Sequence, residues 1–194
     1  VAFEPNPYCV YYLRELIREN PSLKDVVVYP VGLAEHTHMA SLIIEYETDA
    51  QGTVIRNFRA NDDRKLQIPV MLIEPTLIEP LRASDLIFKV DVEGGELEVL
   101  TGLKELLLQK RSPVICEVLP AYSHSNHLRL RRQEELERRL KELRYIPLRI
   151  PTKTAPTRVA EFGIHANLDW INYVFVAEEQ HELCNKLLNL RVTS

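Results

Sequence analysis

The residues best suited to chemistry lie in Lys89-Val90-Asp91-Val92-Glu93-Gly94-Gly95-Glu96. Side chains alternate across a strand, so Leu86, Phe88, Val90 and Val92 face one way, and Lys89, Asp91 and Glu93 the other. Successive members of the polar set stand roughly 6–7 Å apart. Lys89 can offset one carboxylate, which leaves the stripe with one negative charge in excess. An interior strand would bury that charge at a cost of several kcal/mol. A cleft at the carboxyl end of the strand, where water or a ligand can solvate it, removes the difficulty. An ion-paired strand tip without chemistry is the plain alternative.

A second signal is Phe3-Glu4-Pro5-Asn6-Pro7. A carboxylate ending a strand in a βαβ unit can accept two hydrogen bonds from a ribose diol. Glu before a helix can equally be a partner of the helix dipole. Glu117 ends a further expected strand and precedes the polar loop Tyr122-Ser123-His124-Ser125-Asn126-His127. His124 or His127 could act as a general base there, although a solvent loop rich in turn formers fits the same residues. His36 and His38 form a His-x-His pair with no third ligand nearby, so a surface loop is expected and no metal site is assigned.

The elements that must position these groups follow from periodicity and punctuation. Val1 to Phe3 reads as the end of a buried strand, and the chain is expected to be a fragment cut near its first residue. Asn6 and Pro7 start a helix to about Glu19, with Val10, Leu13, Leu16 and Ile17 inward. Val26 to Tyr29 is expected as a strand buried on both faces. Ala40 to Tyr46 and Thr53 to Phe58 read as a hairpin, and Ile68 to Ile73 as another extended segment. Asp85 to Glu93 is a strand, and Gly94-Gly95 turns it into a helix through about Gln109 carrying Leu97, Leu100, Leu103 and Leu107. After the strand Val114 to Val118 comes a charge-rich helix, Arg129 to Arg144, with Leu136, Leu140 and Leu143 inward. Its Arg and Glu residues read as a solvated, self-pairing face. Tyr145 to Ile150 and Ile171 to Ala177 are the last strands. The order predicts a mostly parallel, doubly wound α/β sheet with an antiparallel last strand.

With 194 residues and 45% hydrophobic content, the chain is expected to form a single domain over 1–194. A net charge of -4 gives no electrostatic case for nucleic acid as a partner. Three dispersed cysteines, Cys9, Cys116 and Cys184, fit a reducing, cytoplasmic setting rather than a disulfide framework. No apolar run approaches the roughly 20 residues of a membrane span.

Taken together, Phe3-Glu4-Pro5-Asn6-Pro7, Pro30-Val31-Gly32-Leu33 and Lys89 to Glu96, followed by Val99-Leu100 and Gly102, resemble the FkbM family of S-adenosylmethionine-dependent methyltransferases. The resemblance runs from Val1 to about Glu117. It implies a Rossmann-like class I methyltransferase fold and methyl transfer to a hydroxyl oxygen of a sugar, polyketide or similar small molecule. By that resemblance Glu4, Pro5, Asn6, Gly32, Leu33 and Asp91 would hold the cofactor. The resemblance also places Asp91 and Glu93 beside the methyl group and the acceptor. On the residues themselves Asp91, Glu93 or His124 could take the proton, and Lys89, Glu117 and His127 are candidates to bind the acceptor. Leu72 and Glu74 depart from the family's usual Thr-Leu-Asp segment, and the family's first strand and glycine-rich loop are absent from these residues.

Two other classes remain open on the residues alone. Asp91-Val92-Glu93 resembles the acidic pair that holds a divalent metal in some glycosyltransferases. A non-catalytic binding module, degenerate through loss of the glycine loop, is the third.

Overall fold

Asn6 and Pro7 start the first helix as their types demand. The Asn6 side chain accepts from the Tyr8 amide at the N-cap, and Pro7 occupies the first helical position, where no amide is needed. The computed structural model describes residues 1–47, 49–58, 65–82 and 85–190. These divide into two compact units, Val1–Arg82 with Glu98–Leu103, and Ala83–Leu97 with Lys104–Ser194.

In the first unit, β1 (Ala2–Phe3), α1 (Pro7–Glu19) and β2 (Val28–Tyr29) form the expected βαβ unit, with β1 parallel to β2. Two details differ from expectation. Val27 is 50% exposed and the strand has only two residues, because β2 borders a two-stranded sheet and has one neighbour instead of two. Leu16 is 52% exposed: it lies on the side of α1 that carries Tyr8 and Tyr12, while Val10, three and seven residues from Leu13 and Ile17, marks the inner side.

The same unit holds β3 (Gly32–Leu33), β4 (His38–Ile44) and β5 (Leu66–Ile73). The hairpin expected between residues 40–46 and 53–58 does not form as such. β4 instead pairs antiparallel with β5, from His38↔Leu72 to Ile44↔Leu66, and only Thr53 bridges back to Ile43. Beyond Thr53 local hydrogen bonds win: its hydroxyl accepts from the Ile55 amide, and the Phe58 amide donates to the Ile55 carbonyl. Leu42, Ile44, Val70 and Leu72 alternate inward and close a small core with Ala34. Leu72, which departs from the family segment, is therefore a core residue.

The second unit carries β6 (Phe88–Val90), α2 (Glu96–Gly102), α3 (Lys104–Lys110), β7 (Val114–Glu117), α4 (His127–Leu143), β8 (Tyr145–Arg149), β9 (Thr157–Arg158), β10 (Asn172–Ala177) and α5 (His181–Leu188). From Glu98 onward α2 belongs to the first unit. The long helix expected after Gly95 is thus two helices that break at Leu103, next to Gly102, although Leu100, Leu103 and Leu107 are buried as expected. The sheet order is β6-β7-β10-β8-β9. β6 is parallel to β7, and β10 enters antiparallel between β7 and β8 as the sequence led us to expect. Among the described residues three strand pairs are parallel and four antiparallel, so the arrangement is mixed and not mostly parallel. The difference comes from the β4–β5 excursion and from β9, neither of which has a strong period-2 signal of its own. Ile146, Leu148, Val174 and Val176 form a core with Cys184 of α5, a helix absent from the sequence reading. No helix among the described residues is long and apolar enough to cross a membrane.

Candidate functional site

Strand register brings the acidic residues of the second unit together. Lys89 lies opposite Ile115 and Val90 opposite Cys116, so Lys89, Asp91 and Glu117 rise on one side of the β6–β7 pair. Lys89 Nζ pairs with Asp91 Oδ2 at 2.6 Å. The side chains of Lys89 and Asp91 are 66% and 41% exposed, so the stripe meets solvent and no buried unpaired charge arises. β6 is the outer strand of its sheet, so water reaches this side and the charge excess costs little.

Glu117, on the inner strand β7, is treated differently. Burial pushes its pKa above the usual carboxylate value, and the nearby Asp91 and Glu93 carboxylates push the same way, against the smaller opposing effect of Lys89. Cys116, on the opposite side of β7, is fully buried. Burial and the charges of Glu96, Asp91 and Glu117 hold its thiol well above the ordinary value, hence neutral.

The turn after β6 is strained and held. Glu93 has φ 49° and Gly94 φ 99°. Glycine adopts this region freely, whereas a residue such as Glu93 pays about 1–2 kcal/mol for it. The Gly94 amide donates to Glu96 Oε1 at 2.9 Å and the Gly95 amide to the Val92 carbonyl at 3.1 Å. Arg132 of α4 donates twice to the Gly94 carbonyl, at 3.1 and 2.7 Å.

Arg132 is an exception to the reading of the Arg and Glu residues of α4 as mostly a solvated, self-pairing face. Arg138 does pair with Glu135 and Glu142 on the surface. Arg129 and Gln133, however, are buried: Arg129 donates to the Pro120 carbonyl at 3.1 Å, and Gln133 accepts from the Ala121 amide at 3.2 Å. The signal was present in the spacing, since Arg129, Gln133, Leu136, Leu140 and Leu143 fall on one helical stripe. Polar residues on an apolar stripe mark where a helix grips backbone.

His124 and His127 are not gathered into this group. His124 sits exposed in a turn closed by the Asn126 amide on the Ser123 carbonyl, and His127 is the exposed first residue of α4. Among the described residues no hydrogen bond or ion pair ties either ring to Asp91 or Glu117. His36 and His38 lie exposed, with His38 Nδ1 at 2.8 Å from the His36 carbonyl oxygen. No three His, Cys, Asp or Glu side chains among the described residues converge as metal ligands, and Lys89 already holds Asp91.

In the first unit Glu4, Pro5, Asn6, Gly32 and Leu33 come together. Glu4 Oε1 accepts from the Asn6 amide at 2.7 Å, and burial raises its pKa despite that bond. Its other carboxylate oxygen has no partner among the described residues, which suits a carboxylate that takes hydroxyl donors from a ligand. Gly32 is a strand residue, not only part of a turn: it pairs with Leu72, and a Cβ on it would lie 2.5 Å from Leu72 Cδ2 and 3.7 Å from the Pro5 ring. Asn6 is 2% exposed, and its amide nitrogen donates to the Glu47 and Asp49 carbonyls at 3.0 and 3.3 Å. Asn6→Ala is expected to cost about 1–3 kcal/mol in urea unfolding, through the lost cap and two orphaned carbonyls.

Residues 1–147 match the family described as Methyltransferase FkbM domain. The chain is also similar in structure to methyltransferase FkbM from Methylobacillus flagellatus KT, with a TM-score of 0.51 at 15% identity over 90% of this chain. It spans only 35% of that chain. No curated protein matches it.

Proposed function

The chain belongs to the FkbM methyltransferase family, and on that premise we propose that it transfers a methyl group from S-adenosylmethionine to a hydroxyl oxygen of a small-molecule acceptor such as a sugar. The observation that carries this reading is the group of Lys89, Asp91, Glu93 and Glu117 at the carboxyl ends of β6 and β7. Ligands bind at that end of strands in open α/β sheets. The reading takes residues 1–194 as one Rossmann-like domain. The free thiols support a reducing, cytoplasmic setting.

The cofactor supplies an electrophilic methyl group on a sulfonium. The chain's own residues do the rest. Glu4 offers its unpartnered carboxylate oxygen to the ribose hydroxyls, beside Pro5, Asn6, Gly32 and Leu33. Glu117 removes the acceptor's hydroxyl proton, a role that its upward-shifted pKa favours. Asp91, steadied by Lys89, and Glu93 orient the acceptor by hydrogen bonds, and Arg132 keeps the Glu93–Gly94 turn in place. His124 and His127 are the second choice as bases, being exposed on the neighbouring loop. The metal-dependent sugar-nucleotide reading is not favoured by this donor set.

Calorimetry with S-adenosylmethionine on a protein containing residues 1–194 tests the proposal. Binding is expected, and Glu4→Gln is expected to weaken it about 10–100-fold through the loss of charge-assisted hydrogen bonds. Unchanged affinity in that variant would remove Glu4 from the ribose role.

A further inference from the structure

The end of β8 carries a cation that no carboxylate among the described residues neutralises. Arg149, the last residue of β8, is partly buried and stacks over the Trp170 ring at 4.9 Å and the Tyr173 ring at 5.5 Å. Its Nη2 donates to the Phe162 carbonyl at 2.8 Å, and Nε and Nη2 both reach the Tyr173 hydroxyl, at 3.2 and 3.1 Å. Among the described residues Nη1 has no protein partner and no ion pair includes Arg149. A guanidinium held this firmly on two sides, with its remaining donors free, is arranged to meet oxygens of a planar or tetrahedral anion.

The surroundings are built, not incidental. Gln133 and Glu137 of α4 tie down the loop: Gln133 Nε2 donates to the Gly163 carbonyl at 3.4 Å, and Glu137 accepts from the Phe162 amide at 2.6 Å. The His165 amide donates to the Ala121 carbonyl, which joins this loop to the one after β7. The His165 ring meets Trp170 edge-on at 5.4 Å, and burial together with the Arg149 cation pushes its pKa down. Trp170 is 40% exposed, which leaves ring surface for a ligand to stack on. The Ile171 carbonyl accepts from the Val118 amide, directly after Glu117, and Asn172 lies opposite Glu117. Arg149 lies opposite Tyr173, so Arg149 and Glu117 stand at the same end of one sheet, two interstrand spacings or roughly 10 Å apart. Their side chains leave opposite faces, and an acceptor that meets both must reach across the strand ends. All of Arg149, His165, Trp170 and Tyr173 lie beyond residue 147, outside the span that matches the family.

We propose that Arg149 and Trp170 form the acceptor-recognition site of this chain, and that the acceptor is an anionic sugar-like molecule, its carboxylate or phosphate on Arg149 and its ring on Trp170. This inference rests on the methyl-transfer reading for the role of the ligand, but its site is tested without the cofactor. Trp170 is the one tryptophan in the chain, so intrinsic tryptophan fluorescence reports on the site directly. Titrations use glucose 6-phosphate, glucuronate and glucose. Both anions are expected to change the emission and to bind at least tenfold more tightly than glucose, with the stronger of the two identifying phosphate or carboxylate as the acceptor's group. Arg149→Gln is expected to abolish that preference and Arg149→Lys to retain part of it, with circular dichroism confirming the fold of each. Absence of an anion preference in the unaltered protein overturns the proposal, as does a preference that survives in Arg149→Gln. Failure of S-adenosylmethionine to bind in calorimetry would instead strike the methyl-transfer reading, and leaves the fluorescence result to stand or fall on its own.

Discussion

Glu117→Gln is expected to slow transfer of a labelled methyl group to a sugar acceptor by about 10²–10⁴-fold, the usual worth of a general base, while raising the thermal midpoint at pH 7. The two effects have one origin. Burial and the Asp91 and Glu93 charges raise the Glu117 pKa in the folded chain above the ordinary 4.5. A carboxyl whose folded pKa is raised contributes stability that is fully present below 4.5 and is lost as pH rises through the folded value. At pH 7 the ionised side chain is therefore a burden on the fold, and a neutral glutamine relieves it. The stability gain of the variant should shrink as pH falls below the ordinary carboxylate range, where Glu117 is protonated in both states. In the unaltered protein the rate should fall as pH drops through the raised Glu117 pKa. A variant that keeps its rate would move the base to His124 or His127, or to Asp91 or Glu93. A variant that loses stability at pH 7 would contradict the electrostatic account itself.

The second large effect is structural. Gly102→Ala should lower the unfolding midpoint in urea, at a cost of about 1–3 kcal/mol or more. A Cβ on Gly102 would lie 2.5 Å from the Ala34 carbonyl oxygen, 2.8 Å from its carbon and 3.1 Å from the Glu35 nitrogen. These are backbone atoms and cannot swing aside as a side-chain tip would. Alanine's better helix propensity offers only about 1 kcal/mol in return. Gly95→Ala is the comparison: its nearest contact would be the Val92 carbonyl oxygen at 3.4 Å, an ordinary van der Waals distance, so little change is expected. Unchanged or raised stability in Gly102→Ala would mean that helix propensity outweighs the approach to Ala34.

Gly102 also shows how far the sequence could be read. It was recognisable as part of a family motif, but its reason, the contact with Ala34 some seventy positions earlier, is a tertiary fact. The helices had strong local warrants. Asn6-Pro7 started α1, and the Leu136, Leu140 and Leu143 stripe placed α4, because caps and 3.6-residue periodicity act within a few residues. β4 and β5 were harder: both segments were extended by composition, yet their pairing with each other spans a connection that no local pattern encodes. The buried Arg129 and Gln133 and the clamp from Arg132 to Gly94 were hidden for a similar reason, since a long polar side chain on a charged helix gives no sign of which backbone it will find.

By itself, then, the sequence determined the residue types that could do chemistry and the alternation of Lys89 against Phe88 and Val90, but not that the strand expected over 85–93 is only Phe88–Val90, with Glu93 in a left-handed turn. It determined the Glu4 turn and the antiparallel last strand as well. Only the tertiary structure decided which carboxylate differs from the rest. Asp91 stands on an outer strand, paired with Lys89 and wetted by solvent, while Glu117 on the neighbouring inner strand is partly buried beside two other negative charges. A pKa depends on burial and on charges brought near by strand register, and neither is a property of the residue's place in the chain.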